Sequence, residues 1–220
     1  MSESLFDYDC DQGVRYVCGA DESGRGSIAG PLVVAAVRFD YERLDANDRS
    51  RMGDLNDGKK LSPRRRARLM PVIFELADTV ATVAISARQI EKDGLDASNM
   101  RAFGRVLESV DLVGSVNLVD GSARLEKGFE LKGVGVDPRL IERGDQTSAA
   151  IAAASIVAQE THNLLMRQLD VEYPGYGFAA HMGYVTIAHV EAVRKLGPSP
   201  AHRHGPTQKA LSSKRVPEFS

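Results

Sequence analysis

Asp21 and Glu22 stand together at the end of an apolar run, Arg15 to Asp21 (RYVCGAD), and a Gly-rich stretch from Ser23 to Pro31 follows at once. Asp120 closes a second apolar run, Val116 to Asp120 (VNLVD), before Gly121, and Asp145 follows Gly144 just ahead of a long Ala-rich segment. Taken singly, each has an ordinary explanation: solvated acids of a Gly-rich hairpin, a turn aspartate, a helix N-cap. Together they are acids at the edges of elements that an α/β sheet can gather at the carboxyl ends of its strands. None has an obvious Lys or Arg neighbour at helix spacing. Clustered carboxylates repel one another unless a divalent cation lies among them. All-oxygen ligands select Mg²⁺ or Mn²⁺ over zinc, and two such ions about 3.5–4 Å apart suit in-line phosphodiester hydrolysis. Adjacent residues of a strand point to opposite sides, so Asp21 and Glu22 serve one site only if the strand ends there or one acts through its carbonyl.

The Gly-rich stretch also fits a dinucleotide fingerprint, Gly24-x-Gly26-x-x-Ala29. That fingerprint must open a helix whose N-terminus holds the pyrophosphate. Here Gly30-Pro31 and a β-rich run follow instead, and two carboxylates would repel the pyrophosphate. Bases are grouped: Lys59, Lys60, Arg64, Arg65, Arg66 and Arg68 form a run without an acid between Gly58 and Phe74. Such a run is a solvated helix face or a set of phosphate contacts. From Arg194 on, Arg194, Lys195, Arg203, Lys209, Lys214 and Arg215 face a single acid, Glu218. His202-x-His204 lacks a third ligand nearby and is a poor zinc site; His162, His181 and His189 read as surface or core residues. Tyr173, Tyr176, Phe178 and Tyr184 concentrate aromatic rings around a Pro-Gly-Tyr-Gly loop, for packing or for stacking on a sugar or base.

The elements that must position these residues follow from pattern. Strands are expected at Arg15 to Asp21, Pro31 to Phe39, Thr79 to Ser86 and Val116 to Asp120, where β-branched residues are dense and no helical stripe appears. Ser62-Pro63 opens a basic amphipathic helix through about Ala77, with Ser as N-cap and Pro in the first turn. Further helices are expected at Ala97 to Val110, Gln146 to Leu169 and Thr186 to Leu196, the last stopped by Gly197-Pro198. Ala152, Ala153 and Ala154 mark close helix–sheet packing. Early hairpin strands followed by alternating strands and helices give an α/β fold, a mixed sheet covered by helices.

Composition limits the function classes. With 28 Lys+Arg against 30 Asp+Glu the net charge is −2, which excludes a histone-like protein that coats DNA by bulk attraction. It leaves room for a local basic groove. Cys10 and Cys18 form no disulfide framework and no CxxC zinc spacing. The acidic start is not a signal peptide, and the longest apolar stretch, Ala149 to Ala158, is about half a bilayer span. A soluble, reduced, cytoplasmic protein without membrane partners is expected.

These motifs together resemble ribonuclease HII, the bacterial type 2 ribonuclease H. The resemblance rests on Asp21-Glu22-Ser23-Gly24-Arg25-Gly26 with Ala29-Gly30-Pro31, the segment Leu55 to Ser62, Val119-Asp120-Gly121 and Gly144-Asp145. It continues through Ile151 to Ile156, Tyr173 to Phe178, His181-x-Gly183-Tyr184 and Gly197 to Arg203, in family order over roughly Val17 to Arg203. The ordered set is specific where any one member is weak. It implies a ribonuclease H-like mixed β-sheet flanked by helices, with a small helical or irregular C-terminal extension. The implied organisation is an acidic flexible tail at 1–14, a catalytic domain at 15–172, and a substrate-contacting segment with a basic tail at 173–220.

The resemblance implies hydrolysis of the RNA strand of RNA–DNA hybrids and incision 5′ of ribonucleotides embedded in duplex DNA, leaving 5′-phosphate and 3′-hydroxyl ends. Two divalent ions, Mg²⁺ or Mn²⁺, would be held by Asp21, Glu22, Asp120 and Asp145. Asp21 would bridge both, Asp120 and Glu22 would serve the leaving-group side, and Asp145 the side of the water. Gly24, Arg25 and Gly26 would read the ribose 2′-hydroxyl largely through the backbone, Tyr184 would stack on the following deoxyribose, and Lys59 and Lys60 would contact phosphate. Departures are Gly58 in place of Ser, Arg143 in place of Lys, and Gln159, His162 and Asn163 in place of Lys, Arg and Asp. After Arg203, His204-Gly205-Pro206 and a basic tail replace the usual Ser-Phe ending. A monomer is expected; Gln208 to Leu211 faintly resembles a sliding-clamp motif without its aromatic pair. Two other readings compete: a non-catalytic nucleic-acid-binding module, and a DNA resolvase or integrase of the same broad fold. The four acids weigh against the first and the Gly24–Gly26 segment with Tyr184 against the second.

Overall fold

A computed structural model describes residues 5–55, 61–121 and 136–213 of the chain. Its centre is a sheet of five strands in the order β3-β2-β1-β4-β5. β1 (Tyr16–Ser23), β2 (Leu32–Asp40) and β3 (Thr79–Ile85) form an antiparallel meander. β4 (Val116–Asp120) lies parallel to β1, and β5 (Arg139–Ile141) parallel to β4. β2 reads LVVAAVRFD without polar alternation because both of its faces are covered.

Helices α1 (Leu5–Cys10), α2 (Ala46–Arg51), α3 (Pro63–Leu76), α4 (Ala87–Asp93) and α5 (Leu95–Val110) precede β4. A 3₁₀ turn at Gly144–Gln146 leads into α6 (Ala149–Glu172), and α7 (Phe178–His181), α8 (Ile187–Leu196) and α9 (His204–Leu211) follow. Strand alternation divides the core in two. Val17, Val33, Ala35, Val37, Phe39 and Leu118 face α6, with α3 and α1 beside it. Cys18, Ala20, Leu32, Val34, Ala36 and Val119 face the apolar stripe of α5, Met100, Phe103, Val106, Leu107 and Val110.

α6 comes unusually close to the sheet. A side chain at Gly19 of β1 would collide with the backbone of Ala150, and Ala149, Ala150, Ala152, Ala153 and Ala154 are all buried. Small residues on both surfaces let helix and strand backbones approach, which is the packing expected of the Ala run. The start of α6, into which the turn carrying Asp145 leads, is thereby pressed onto the strand that carries Asp21.

The expected strands and long helices are present within two or three residues of their expected bounds. Ser62 caps α3 by accepting from Arg65 N, and Thr186 caps α8 by accepting from His189 N. Three expectations need correction. Asp145 does not cap α6; Ser148 does, accepting from Ile151 N. Residues 5–10 are not a frayed tail: Phe6 is buried, and Asp9 of α1 reaches the start of α6 to accept from Ala150 N at 2.9 Å. The segment after Gly197 is not wholly irregular, since α9 packs Ala210 against Ile28 and Val190. Counting acids and bases missed these because a few apolar side chains decide whether a charged segment docks.

Candidate active site

β1 and β4 run parallel, with Val17 beside Val116 and Ala20 beside Val119. The next residue of each, Asp21 and Asp120, therefore reaches the same edge of the sheet. Alternation turns both toward α6: Asp21 shares the face of Val17 and Gly19, Asp120 that of Leu118. Asp145 arrives from the 3₁₀ turn, which is tied to β4 because Gly144 N donates to Asp120 Oδ1 at 2.7 Å. One carboxylate oxygen from each of Asp21, Asp120 and Asp145 lies within 4.8 Å of the other two. Asp21 and Asp145 are buried and Asp120 half-buried. Three hard, anionic oxygen donors in so confined a space fit a divalent cation such as Mg²⁺ or Mn²⁺.

Glu22 lies outside this group. β1 continues past it, pairing Ser23 with Val33, so its side chain takes the opposite face. It is also not isolated from bases: Arg25 lies 3.6 Å away and reaches Asp96 at 2.9 Å. Arg25 stands three residues after Glu22, and the Gly-rich loop rather than a helix brings the two together.

Beside Glu22 opens a groove of about 640 Å³, lined among others by Gly24, Arg25, Gly26, Arg66, Asn163 and Tyr184. Gly24 has φ +80°, and a Cβ there would lie 2.5 Å from the His162 ring and 2.6 Å from Pro31 O. Only glycine fits that turn. Gly26 is exposed, and its Cβ position is 4.0 Å from the Tyr184 ring. Tyr184 thus belongs to the groove, while Tyr176 and Phe178 stack on each other at 5.4 Å as packing. Arg143 is exposed and left-handed, at φ 54°. Gly58, Lys59 and Lys60 lie outside the described residues.

The basic run divides. Arg66 turns inward, its Nε donating to Glu160 at 2.5 Å and a terminal nitrogen to Leu61 O at 2.5 Å. Arg68 pairs with Asp54, and Arg64 and Arg65 are exposed. On α6, Ser23 Oγ donates to Gln159, Gln159 Nε2 to Asn163, and Asn163 Nδ2 to Glu160. Gln159 and Asn163 therefore link Ser23 of β1 to the Glu160–Arg66 ion pair through hydrogen bonds.

Two further residues, His162 and Arg203, take roles from packing that the sequence did not assign to them. Burial pushes the His162 imidazole down to about 4, with the Arg203 charge adding to the effect, so it packs neutral behind Gly24. Arg203 is 1% exposed and donates to Gly30 O from two nitrogens, at 3.1 and 3.0 Å, and to Arg25 O at 3.0 Å. Burial lowers its guanidinium to about 10, yet it stays charged at neutral pH, bracing the Gly-rich loop from behind. In the sequence it is one base among several in a tail.

A sequence model of the family described as Ribonuclease HII matches residues 18–207, which spans the three clustered acids, the Gly-rich loop and Tyr184. The chain belongs to the ribonuclease HII family. A ribonuclease HII of Salinispora tropica is 39% identical over 192 residues, covering 87% of this chain and 67% of that protein. One from Mycobacteroides abscessus is 37% identical over 191 residues, covering 87% and 76%. Among solved structures, the ribonuclease H2 of Pyrococcus horikoshii superposes with a TM-score of 0.71 over 89% of this chain and 96% of its own, at 22% identity. Bst-RNase HIII in complex with Mn²⁺ gives 0.70 over 94% and 73%, at 21% identity. At those identities the structures establish the ribonuclease H-like fold, a mixed sheet flanked by helices. As a ribonuclease HII-family protein the chain is a metal-dependent endonuclease of the ribonuclease H type. Among the described residues no helix is long and apolar enough to cross a membrane.

Proposed function

We propose that this protein incises duplex DNA on the 5′ side of an embedded ribonucleotide and cleaves the RNA strand of RNA–DNA hybrids, leaving 5′-phosphate and 3′-hydroxyl ends. The observation that carries this reading is the convergence of Asp21, Asp120 and Asp145 at the sheet edge beside a groove walled by Gly24, Gly26 and Tyr184. These three acids, with Glu22 acting through its backbone carbonyl, would hold two divalent ions, Mg²⁺ or Mn²⁺. Bound there, the ions supply charge neutralisation for the phosphodiester and for the attacking and leaving oxygens. Asp21 would serve both ions, Asp120 and Glu22 the leaving-group side, and Asp145 the side of the water.

The chain's own groups select the substrate. The exposed backbone at Gly26 and the tight turn at Gly24 let the main chain approach a ribose closely, and the 2′-hydroxyl both donates and accepts. Tyr184 offers a ring to the sugar that follows, which makes a deoxynucleotide after the ribonucleotide part of the recognition. Arg143, Lys59 and Lys60 contribute phosphate contacts that position the duplex without reading sequence, while Arg25 joins Gly24 and Gly26 in reading the ribose through its backbone. The chain acts as a monomer in the cytoplasm. A solved ribonuclease HII of Archaeoglobus fulgidus is described in complex with PCNA; here Gln208 to Leu211 lies in α9 with Ala210 buried, so a clamp contact would use the exposed face of that helix.

The test is a nicking assay on a duplex with one ribonucleotide, in Mg²⁺ or Mn²⁺. Wild type nicks it once, leaves all-DNA duplex intact, and loses the activity in Asp21→Asn and Asp120→Asn. Failure of wild type to nick, or undiminished nicking by the variants, sinks the reading.

A further inference from the structure

Three histidines behind Tyr184 have tautomers dictated by backbone groups at either end. Ser199 N, which can only donate, lies 3.0 Å from His202 Nδ1, so that nitrogen is bare and Nε2 of a neutral His202 carries the proton. Tyr184 O, which can only accept, lies 2.9 Å from His189 Nδ1, so that nitrogen is protonated and Nε2 of a neutral His189 is bare. The two Nε2 atoms face each other at 3.1 Å. The result is one directed chain, from Ser199 N–H through His202 and His189 to the carbonyl of Tyr184. His181 stacks on His189 at 3.9 Å between ring centres, and its own nitrogens are used by Tyr176 O and Gly183 N.

We propose that His189 and His202 are positioning residues that hold Tyr184 in the register needed to meet the nucleotide after the ribose. The inference rests on Tyr184 being a substrate contact. Tyr184 N donates to His181 O at 3.0 Å, so His189 completes the anchoring of both backbone groups of that residue. Ile28 N and Ala29 N donate to Gly183 O, which ties the same turn to the Gly-rich loop. Arg203, adjacent to His202, grips Arg25 O and Gly30 O. One segment, Ser199 to Arg203, therefore sets both walls of the groove from behind. Burial pushes His189 down to about 4 and lowers His202 as well, which keeps both rings neutral and the chain intact at physiological pH.

The experiment is a double-mutant cycle in the full-length protein with Mg²⁺, using a duplex containing one ribonucleotide. His189→Phe keeps a ring against Phe178 but removes the donor and the acceptor. Loss of one anchoring hydrogen bond is expected to raise KM about tenfold with little change in kcat. His189→Gln, whose amide offers one donor and one acceptor, recovers most of that. Tyr184→Ala raises KM by a similar factor, and the double variant is no worse than Tyr184→Ala alone. Nitrogen-15 spectra of wild type are expected to show His189 protonated on Nδ1 and His202 on Nε2, a readout that survives if His189→Phe fails to fold. The relay is overturned by the opposite tautomers, by a wild-type KM in His189→Phe, or by effects that multiply in the double variant. An unchanged KM in Tyr184→Ala instead removes the substrate role of Tyr184 and, with it, the purpose of the relay.

Discussion

Asp9 shows how much one side chain can decide. It is fully buried, accepts from Tyr41 Oη at 2.5 Å and Ala150 N at 2.9 Å, and burial raises its carboxyl to about 6 despite those hydrogen bonds. A folded-state value above the ordinary 3.8 means the folded protein holds this proton more tightly than the unfolded chain. The Asp9 contribution is then fully present below about pH 4 and lost as pH rises to about 6, on the order of 2–3 kcal/mol. His162 and His189 act with opposite sign through an overlapping window: both are lowered from 6.5 to about 4, so their contributions are present above pH 6.5 and lost as pH falls. The prediction therefore concerns a difference. In urea unfolding from pH 4 to 7, Asp9→Asn loses the component that declines between pH 4 and 6. Parallel curves for wild type and variant would show that Asp9 does not carry it.

At the scale of elements, the contact between β1 and α6 determines whether the acids meet. Asp21 rides on the strand and Asp145 on the turn that opens the helix, and Gly19 is where the two backbones touch. Gly19→Ala forces them apart. Overpacking of this kind costs about 1–3 kcal/mol. Activity should fall further than the lost stability explains, because a small displacement separates the carboxylates. Thermal unfolding and the nicking assay, run below the melting temperature of the variant, separate the two effects. A variant of lowered Tm with unchanged kcat/KM would show that the site tolerates the shift.

For the whole molecule, the net charge of −2 conceals a segregated pattern. Three carboxylates share the sheet edge, while Arg64 and Arg65 are exposed on α3. Placing like charges together costs stability until a cation binds, and a ligand that binds only the folded state raises Tm by mass action. Wild type should therefore melt higher in Mn²⁺ than in EDTA. Asp145→Asn should be more stable than wild type in EDTA, by about 0.5–2 kcal/mol, with a correspondingly higher Tm, and gain little from Mn²⁺. Equal Tm values with and without metal in wild type would refute the assignment of these acids as ligands.

Much of this protein is legible in its sequence. Strand and helix positions follow from local periodicity, since an apolar run such as VNLVD or a capped start such as Ser62-Pro63 carries its own signal. Asp21, Asp120 and Asp145 stood out because each sits at an element's edge, and their meeting follows from parallel pairing of β1 and β4. Other roles are properties of packing and leave no local trace. Asp9 reads in the sequence as one more acid in a tail, and Arg203, His181 and His202 as motif members without an assigned role, yet burial and partners distant in sequence define what each does. Likewise, the sequence placed Glu22 beside Asp21, and only the continuation of β1 turned it to the other face. Chain order determines which residues are neighbours along an element; the tertiary fold alone determines which are desolvated together, and desolvation is what turns a charge or an imidazole into a structural or chemical device.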